Sequence, residues 1–295
     1  MYHKKWVAGM YLLPAVLFVT IFIYLAIALN GYYSLFKWNT YSDMVFVGLN
    51  NYIRLFKDSN FWTALGNNIC FAAASLFCQV GFALVLAAVL EQKWLRKVSG
   101  PIRTILFIPS MISISVVSLM WQLMLNPSMG FVNKFLKIIG LGALAIDWLG
   151  NAKTAIWCVI ASSQWQYVGY TTMLFIVAVQ KIPNDYYEAA QLDGANAIQQ
   201  FFNITVPNVK EMISLNLITT LVGSFKAFDE VYIMTSGGPG RASEVLGSLL
   251  YKSGFKEDAM GYASAIGVVI FAITVSLSIL QIRRLDIREK RGRYQ

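Results

Sequence analysis

The chain has 295 residues, of which 57% are apolar and only 13% charged, with a formal net charge of +9 and a mean hydropathy of +0.56. A water-soluble domain carries about 25% charged residues, so these figures exclude an ordinary soluble enzyme and describe a chain solvated mainly by lipid. The positive surplus would suit a nucleic-acid binder, but its placement along the chain decides against that.

Six runs are long enough to cross a hydrocarbon core, which takes about 20 residues of helix. They are Val7–Leu29, Ile69–Leu90, Thr104–Leu125, Thr154–Val179, Met212–Met234 and Ala259–Ile282. An all-α, polytopic membrane protein with six transmembrane helices is predicted. Ala26-Ile27-Ala28 imitates a secretory cleavage site, but the apolar core before it exceeds the roughly 7–15 residues of a signal and reads as a retained span. With the N-terminus inside, the inner segments collect Lys4, Lys5, Lys93, Arg96, Lys97, Arg103, Lys181, Lys210 and the basic tail from Arg283 to Arg293. The longer outer segments hold fewer bases, so the positive-inside rule places both termini in the cytoplasm. The tail is then a stop signal beside anionic lipid.

Outer connections cover residues 31–68, 126–153 and 235–258, and inner ones 91–103 and 180–210. None is large enough to fold alone, so residues 1–295 form a single helical bundle. Ala72-Ala73-Ala74-Ser75 and Ser113-Ile114-Ser115 supply small residues for close helix packing in lipid. Pro109 predicts a kink that opens a backbone pocket beside Ser110. The stretch Phe131–Leu141 sets Lys134 and Lys137 among apolar residues and reads as lying flat on the membrane. Cys70, Cys78 and Cys158 lie within runs and read as packing residues.

The fourth run places Ser163, Gln166, Tyr167 and Tyr170 on one helical face, and the fifth places Thr220, Ser224 and Phe228 at steps of four. Hydroxyl, amide and aromatic groups in mid-span suit a sugar, which presents hydroxyl rims and apolar faces; helix-to-helix hydrogen bonding is the competing reading. Lys226 stands i, i+3 and i, i+4 from Asp229 and Glu230, which predicts an ion pair near the outer mouth, with a cargo contact as the alternative. Gly237-Gly238-Pro239 is a turn by its chemistry.

The inner segment 180–210 is the most specifically written. Asp185 and Glu188 have capping-box spacing for a helix running through Leu192, and Gly194 suits the left-handed residue that ends it. A second short helix over Ala197–Phe202 would be closed by Pro207. The two make a knob whose apolar face (Tyr187, Ala190, Leu192, Phe201, Phe202) needs burial on the chain's own spans or on another protein.

Glu188-Ala189-Ala190, Asp193-Gly194-Ala195 and Ile204-Thr205-Val206-Pro207 together resemble the EAA signature of permease subunits in bacterial ATP-binding-cassette importers. Val206 stands where the family usually has Leu, and the Pro often found near Lys210 or Glu211 is missing. The likeness extends to Gly48-Leu49-Asn50-Asn51-Tyr52 with Phe61-Trp62, to Thr235-Ser236-Gly237-Gly238-Pro239, and to Gly261-Tyr262-Ala263-Ser264-Ala265. These are similar to the larger permease of maltose and oligosaccharide importers.

The resemblance implies a type I importer permease fold in the bacterial cytoplasmic membrane. It implies a heterodimer with a second permease, two cytoplasmic ATPases, and an extracytoplasmic solute-binding protein that delivers a sugar such as an oligosaccharide. Glu188, Ala189, Ala190, Asp193 and Gly194 would couple to the ATPase by sitting in its cleft. Ser110, Ser163, Gln166, Tyr167, Tyr170, Thr220, Ser224 and Phe228 would line the substrate path, most of them aligning with cargo-lining positions of oligosaccharide permeases.

The residues themselves fit a subunit with no catalytic site, cofactor or metal of its own. The sequence lacks a Gly-x-x-x-x-Gly-Lys-Ser/Thr phosphate loop. Its one histidine, His3, argues against a His-dependent protease or metal site. A self-powered carrier usually sets acids deep in its spans, and here only Asp229 and Glu230 qualify. Alternatives kept open are a permease for another polar solute, such as glycerol phosphate or a polyol, and a secondary carrier.

Overall fold

The computed structural model describes residues 5–95 and 98–292. His3 and the bases Lys4, Arg96, Lys97 and Arg293 lie outside them. The chain is mostly helical. In order, the helices are α1 (Gly9–Tyr33), α2 (Asn50–Lys57), α3 (Ser59–Leu90), α4 (Ser99–Met111), α5 (Ile114–Met124), α6 (Phe131–Ile138), α7 (Ala155–Val179), α8 (Asn184–Leu192), α9 (Ala197–Gln200), α10 (Lys210–Phe225), α11 (Asp229–Thr235), α12 (Leu246–Tyr251) and α13 (Met260–Gly292). A two-residue hairpin, β1 (Phe36–Lys37) with β2 (Val45–Phe46), follows α1.

Among the described residues, three helical stretches are long and apolar enough to cross a membrane: α1, α3 and the Met260–Arg283 part of α13. A fourth results if α4 and α5 count as one span, although they are bent by 99° where they meet. Pro109 sits in the tight last turn of α4, and Ile112 leaves it extended at φ −83°, ψ 140°. The expected kink is therefore a full break.

The two remaining runs depart from simple spans for different reasons. At 1.5 Å per residue, the 25 residues of α7 extend about 37 Å, beyond the roughly 30 Å of a hydrocarbon core. Its middle, however, is polar, with Ser162, Ser163, Gln164, Gln166, Thr171 and Thr172 all buried. The run Met212–Met234 is not one helix: α10 stops at Phe225 and α11 starts at Asp229.

That break corrects the expected ion pair. Lys226 is no longer one helical turn from the acids, and among the described residues no ion pair joins it to Asp229 or Glu230. Instead Lys226 caps the C-terminal end of α10, and Asp229 and Glu230 occupy the first turn of α11. Each charge lies at the helix end whose dipole favours its sign.

Two compact units divide the chain. The first comprises Met1–Trp62 and Leu249–Ile273. Its α1 window is wholly unburied, as suits a helix whose solvent is lipid. Asn51 Nδ2 donates to the carbonyls of Ser34 (2.8 Å) and Phe36 (2.9 Å), and the hydroxyls of Ser34 and Tyr52 meet at 2.7 Å. A side chain on Gly261 would overlap the Phe36 carbonyl. The Tyr262 hydroxyl donates to Asp58 Oδ2 at 2.7 Å, and its ring lies 4.4 Å from the Arg54 guanidinium. The sequence signatures around Asn51 and Gly261 are thus two halves of one packed cluster.

The second unit comprises Thr63–Ser248 and Thr274–Gln295. It holds two apolar clusters. One gathers Val80, Ala83, Leu84, Ala87 and Leu90 of α3 with Phe175, Ile176 and Val179 of α7. The other joins Phe71, Leu125, Ile156, Val159, Ile160, Val231 and Val245. Along α3 and α7 the clusters lie at opposite ends, and polar residues separate them.

Candidate functional site

Two places in the second unit carry the residues singled out by the sequence: the knob of segment 180–210 and the polar layer between the apolar clusters.

In the knob, α8 begins after Pro183, which is extended at φ −57°, ψ 135° and provides no side-chain cap. Asp185 is therefore inside the first turn, where its charge suits the helix dipole. The expected capping box between Asp185 and Glu188 is absent because the helix starts at Asn184, two residues earlier than that motif requires. The box forms at the next helix instead: Asn196 Oδ1 accepts from the Gln199 N–H at 2.9 Å, and Gln199 Oε1 accepts from the Asn196 N–H at 2.8 Å. The end of α8 is as expected. Gly194 has φ +80°, and the Ala195 N–H donates to the Ala190 carbonyl at 2.8 Å, a Schellman closure.

The second helix is shorter than expected. α9 gives way at Phe201 to a wider π turn through Thr205, and Pro207 lies within a short helical turn, Val206–Asn208, rather than ending one.

The knob's apolar residues divide into two sets. Tyr187, Phe201, Ile204 and Val206 pack on the α3–α7 cluster, and the Tyr187 hydroxyl meets Thr205 Oγ1 at 2.9 Å. Burial pushes the Tyr187 hydroxyl's pKa up. Leu192 (90% exposed), Ile198 and Phe202 point away into solvent. Glu188, Ala189, Asp193 and Gly194 are exposed and Ala190 half-buried. Beside the knob lies a cavity of about 800 Å³, lined by Glu188, Gln191, Arg103 and Trp94 among others. Glu91 accepts from both Arg103 and Gln180 Nε2, the latter at 3.0 Å, and so joins the knob-side ends of α3, α4 and α7.

In the polar layer, Gln79 Nε2 donates to Gln164 Oε1 (2.8 Å), and Gln164 Nε2 donates to Ser75 Oγ (3.0 Å). Gln79 belongs to a π turn, Leu76–Phe82, a local widening frequently found at functional sites. Gln166 Nε2 donates at 2.9 Å to the carbonyl of Ile112, which the break between α4 and α5 leaves without a helical partner. Ser110 Oγ donates to the Phe107 carbonyl (2.7 Å), and Ser224 Oγ to that of Thr220 (2.8 Å). Ser163 and Thr220 are buried. Tyr167 and Phe228 are half-buried and Tyr170 is exposed, and the Phe228 ring stacks on Tyr232 at 5.3 Å.

The structure therefore brings α7 against the Ser110 turn and against α10, but uses several of the expected cargo-path groups for its own backbone. Sequence reasoning missed Asn68. Its Nδ2 donates to the Ser224 carbonyl and its Oδ1 accepts from the Leu246 N–H, both at 2.8 Å. The adjacent amides Asn67 and Asn68 at the edge of the second apolar run were the available signal.

Apolar helices enclosing a buried polar layer, with a structured helical knob at one end, define a multi-pass membrane protein. Residues 79–287 match the family described as the binding-protein-dependent transport system inner membrane component. The chain belongs to that family, the permease subunits of ATP-binding-cassette importers, and so is an inner-membrane protein.

It is 50% identical to the probable ABC transporter permease protein YurN of Bacillus subtilis (strain 168), over 95% of this chain and 96% of the relative. It is 30% identical to the trehalose/maltose transport system permease protein MalF of Thermococcus litoralis, over 96% and 94%. The backbone is similar to a chain in the crystal structure of a bacterial ABC transporter involved in the import of the acidic polysaccharide alginate. There the TM-score is 0.82 at 22% identity, covering 95% of both chains. That likeness gives the chain the type I importer permease fold.

Proposed function

We propose that this chain is one of two permease subunits in an importer that moves a sugar, most simply an oligosaccharide, across the cytoplasmic membrane by alternating access. The chain is one transmembrane domain with six membrane crossings and both termini in the cytoplasm, α4–α5 and α10–α11 each making one interrupted crossing. ATP is hydrolysed on separate subunits that grip the 180–210 loop, and an external solute-binding protein delivers the cargo. Relatives named for trehalose and maltose, starch degradation products and arabinooligosaccharides support the cargo class.

The observation that carries the coupling role is the knob's two-sided construction. One apolar set anchors it to the bundle, and a second, led by Leu192 and Phe202, faces outward unburied. A partner that covers this face transmits its movement directly to α3 and α7. Glu188, Ala189, Ala190, Asp193 and Gly194 form the gripped surface, with the Glu188 carboxylate positioned for a charge-assisted bond to a basic group of the ATPase. Cargo contacts fall to Tyr167, Tyr170 and Phe228, with Ser110, Ser163, Gln166, Thr220 and Ser224 shaping the wall around them.

The test is Glu188→Ala in the complete importer reconstituted in vesicles. ATP hydrolysis should continue while sugar uptake is lost. Uptake at the parent rate would refute the coupling role. Uptake that persists with no ATPase subunit present would replace this reading with a self-powered carrier.

A further inference from the structure

Helix α6 plays no part in the function above, yet its orientation is fixed with care. Asn126 Oδ1 accepts from the N–H groups of Ser128 and Met129, both at 3.0 Å, and turns the chain after α5. Gly130 follows, packed so closely on the backbone of Met124 and Asn126 that a side chain there would overlap both. Asn133 is buried. It donates to the carbonyls of Pro127 (3.3 Å) and Ile146 (2.9 Å) and accepts from Trp148 Nε1 (2.8 Å). Val132 packs on the second apolar cluster. One face of α6 is thus locked inward.

The opposite face is apolar and open. Phe131, Phe135 and Ile138 are 62%, 48% and 82% exposed, and the two rings stack at 5.9 Å. Ile139, Leu141 and Leu144 continue the strip, all exposed. At about 100° per residue, Lys134 and Lys137, both exposed, fall along one edge of it. An apolar stripe edged by bases is the pattern of a helix lying in a membrane interface. The depth marker agrees. Trp157 is exposed in the first turn of α7, three residues after Thr154, whose hydroxyl donates to the Trp148 carbonyl at 2.6 Å. An exposed tryptophan at a helix end sits at headgroup level, and Trp148 ties α6 to that same end.

We propose that α6 and the turn after it form a lipid-docking face. Phe131, Phe135 and Ile138 enter the acyl boundary, and Lys134 and Lys137 hold anionic phospholipid headgroups along the edge. The bonds of Asn133 and the close packing of Gly130 hold this end of α5 and α7 at a set depth in the leaflet.

A bimane probe on Ile138→Cys, in the complete importer in nanodiscs with bromine-substituted acyl chains, tests this. The labelled parent chain supplies the background from Cys70, Cys78 and Cys158, and Tyr41→Cys, at a position 93% exposed, supplies a water-exposed reference. The Ile138 probe should lose most of its fluorescence while the Tyr41 probe keeps its own. The loss should be larger in phosphatidylglycerol than in phosphatidylcholine, and Lys134→Gln with Lys137→Gln should remove that difference. An unquenched Ile138 probe overturns the proposal. So does quenching seen in the isolated subunit but absent after assembly, which would mean that protein covers the face. Equal quenching in the two lipids overturns the headgroup contact.

Discussion

The replacement Gly169→Ala sets two effects of opposite sign against each other, and the structure decides between them. Gly169 lies inside α7, where alanine is favoured over glycine by about 1 kcal/mol on helix propensity. The new methyl, however, would overlap the backbone carbonyl of Leu106 in α4. A backbone carbonyl cannot rotate aside as a side-chain tip can, so the two helices must separate. Overpacking of this kind costs about 1–3 kcal/mol, and more where backbone moves. Separation would also stretch the Gln166 bond to the Ile112 carbonyl, made one turn away. The net expectation is a loss of about 1–2 kcal/mol, or a fall of about 2–8 °C in Tm for a chain of this size. Thermal unfolding of the purified subunit in detergent reads it. Gly66→Ala in α3 is the control. No atom lies within 4 Å of its added methyl, so propensity alone should act and leave Tm unchanged or raised. A Gly169→Ala chain as stable as its parent would show that α4 and α7 do not meet as closely as described.

Two further outcomes follow from the buried bonds and the knob. Gln164→Leu strips Gln79 and Ser75 of their partner and should cost about 1–3 kcal/mol for the groups left unpaired. Adding Gln79→Leu and Ser75→Ala should recover part of that loss, and additive losses in a thermal-shift cycle would refute the network. Gly194→Ala forces a side chain into φ +80° at a cost of about 1–2 kcal/mol. Because the turn is exposed and can open locally without unfolding the bundle, Tm should fall little while uptake and the yield of crosslinks from Leu192→Cys to the ATPase drop; unchanged crosslinking would show that the turn does not shape the gripped surface.

Features set by local chemistry were legible in the sequence. Gly194, the Pro109 break and the existence of a two-helix knob each depend on residues a few positions apart. The apolar runs were legible for the same reason, because a window of side chains determines its own partition into lipid. What escaped depends on distant partners. The one glycine between Met212 and Met234, Gly223, lies inside α10 rather than at the break. Ala227, within the break, is buried in the apolar cluster with Phe71, Ile156 and Val159, residues distant in sequence. The roles of Asn68, Gln79 and Asn133 were not legible because the groups they satisfy lie on other elements: Ser224 and Leu246, Gln164, and the Ile146–Trp148 stretch. The capping box was assigned one helix too early because Pro183 already fixes the backbone where α8 begins, and Asn196 with Gln199 offered the same chemistry at the next start.

The interrupted helices also change how the polarity of α7 should be read. Irregular backbone at membrane depth is tolerated only where protein or a water-lined cavity satisfies it. Both interruptions in this chain, at Ile112–Ser113 and at Lys226–Phe228, belong to elements that pack on α7. Gln166 answers the first directly through the Ile112 carbonyl. Gln164 is committed to Ser75 and Gln79, and the hydroxyls of Ser162, Thr171 and Thr172 donate to carbonyls of α7 itself. Gln166 thus answers a break, while the other polar groups are spent on α3 or on α7's own carbonyls. The side chains of Tyr167 and Tyr170 make none of these bonds and are the more exposed members of the belt. If a sugar passes this helix, those two aromatic rings with hydroxyl tips have the chemistry and the freedom to meet it, and the amides hold open the frame in which they do so.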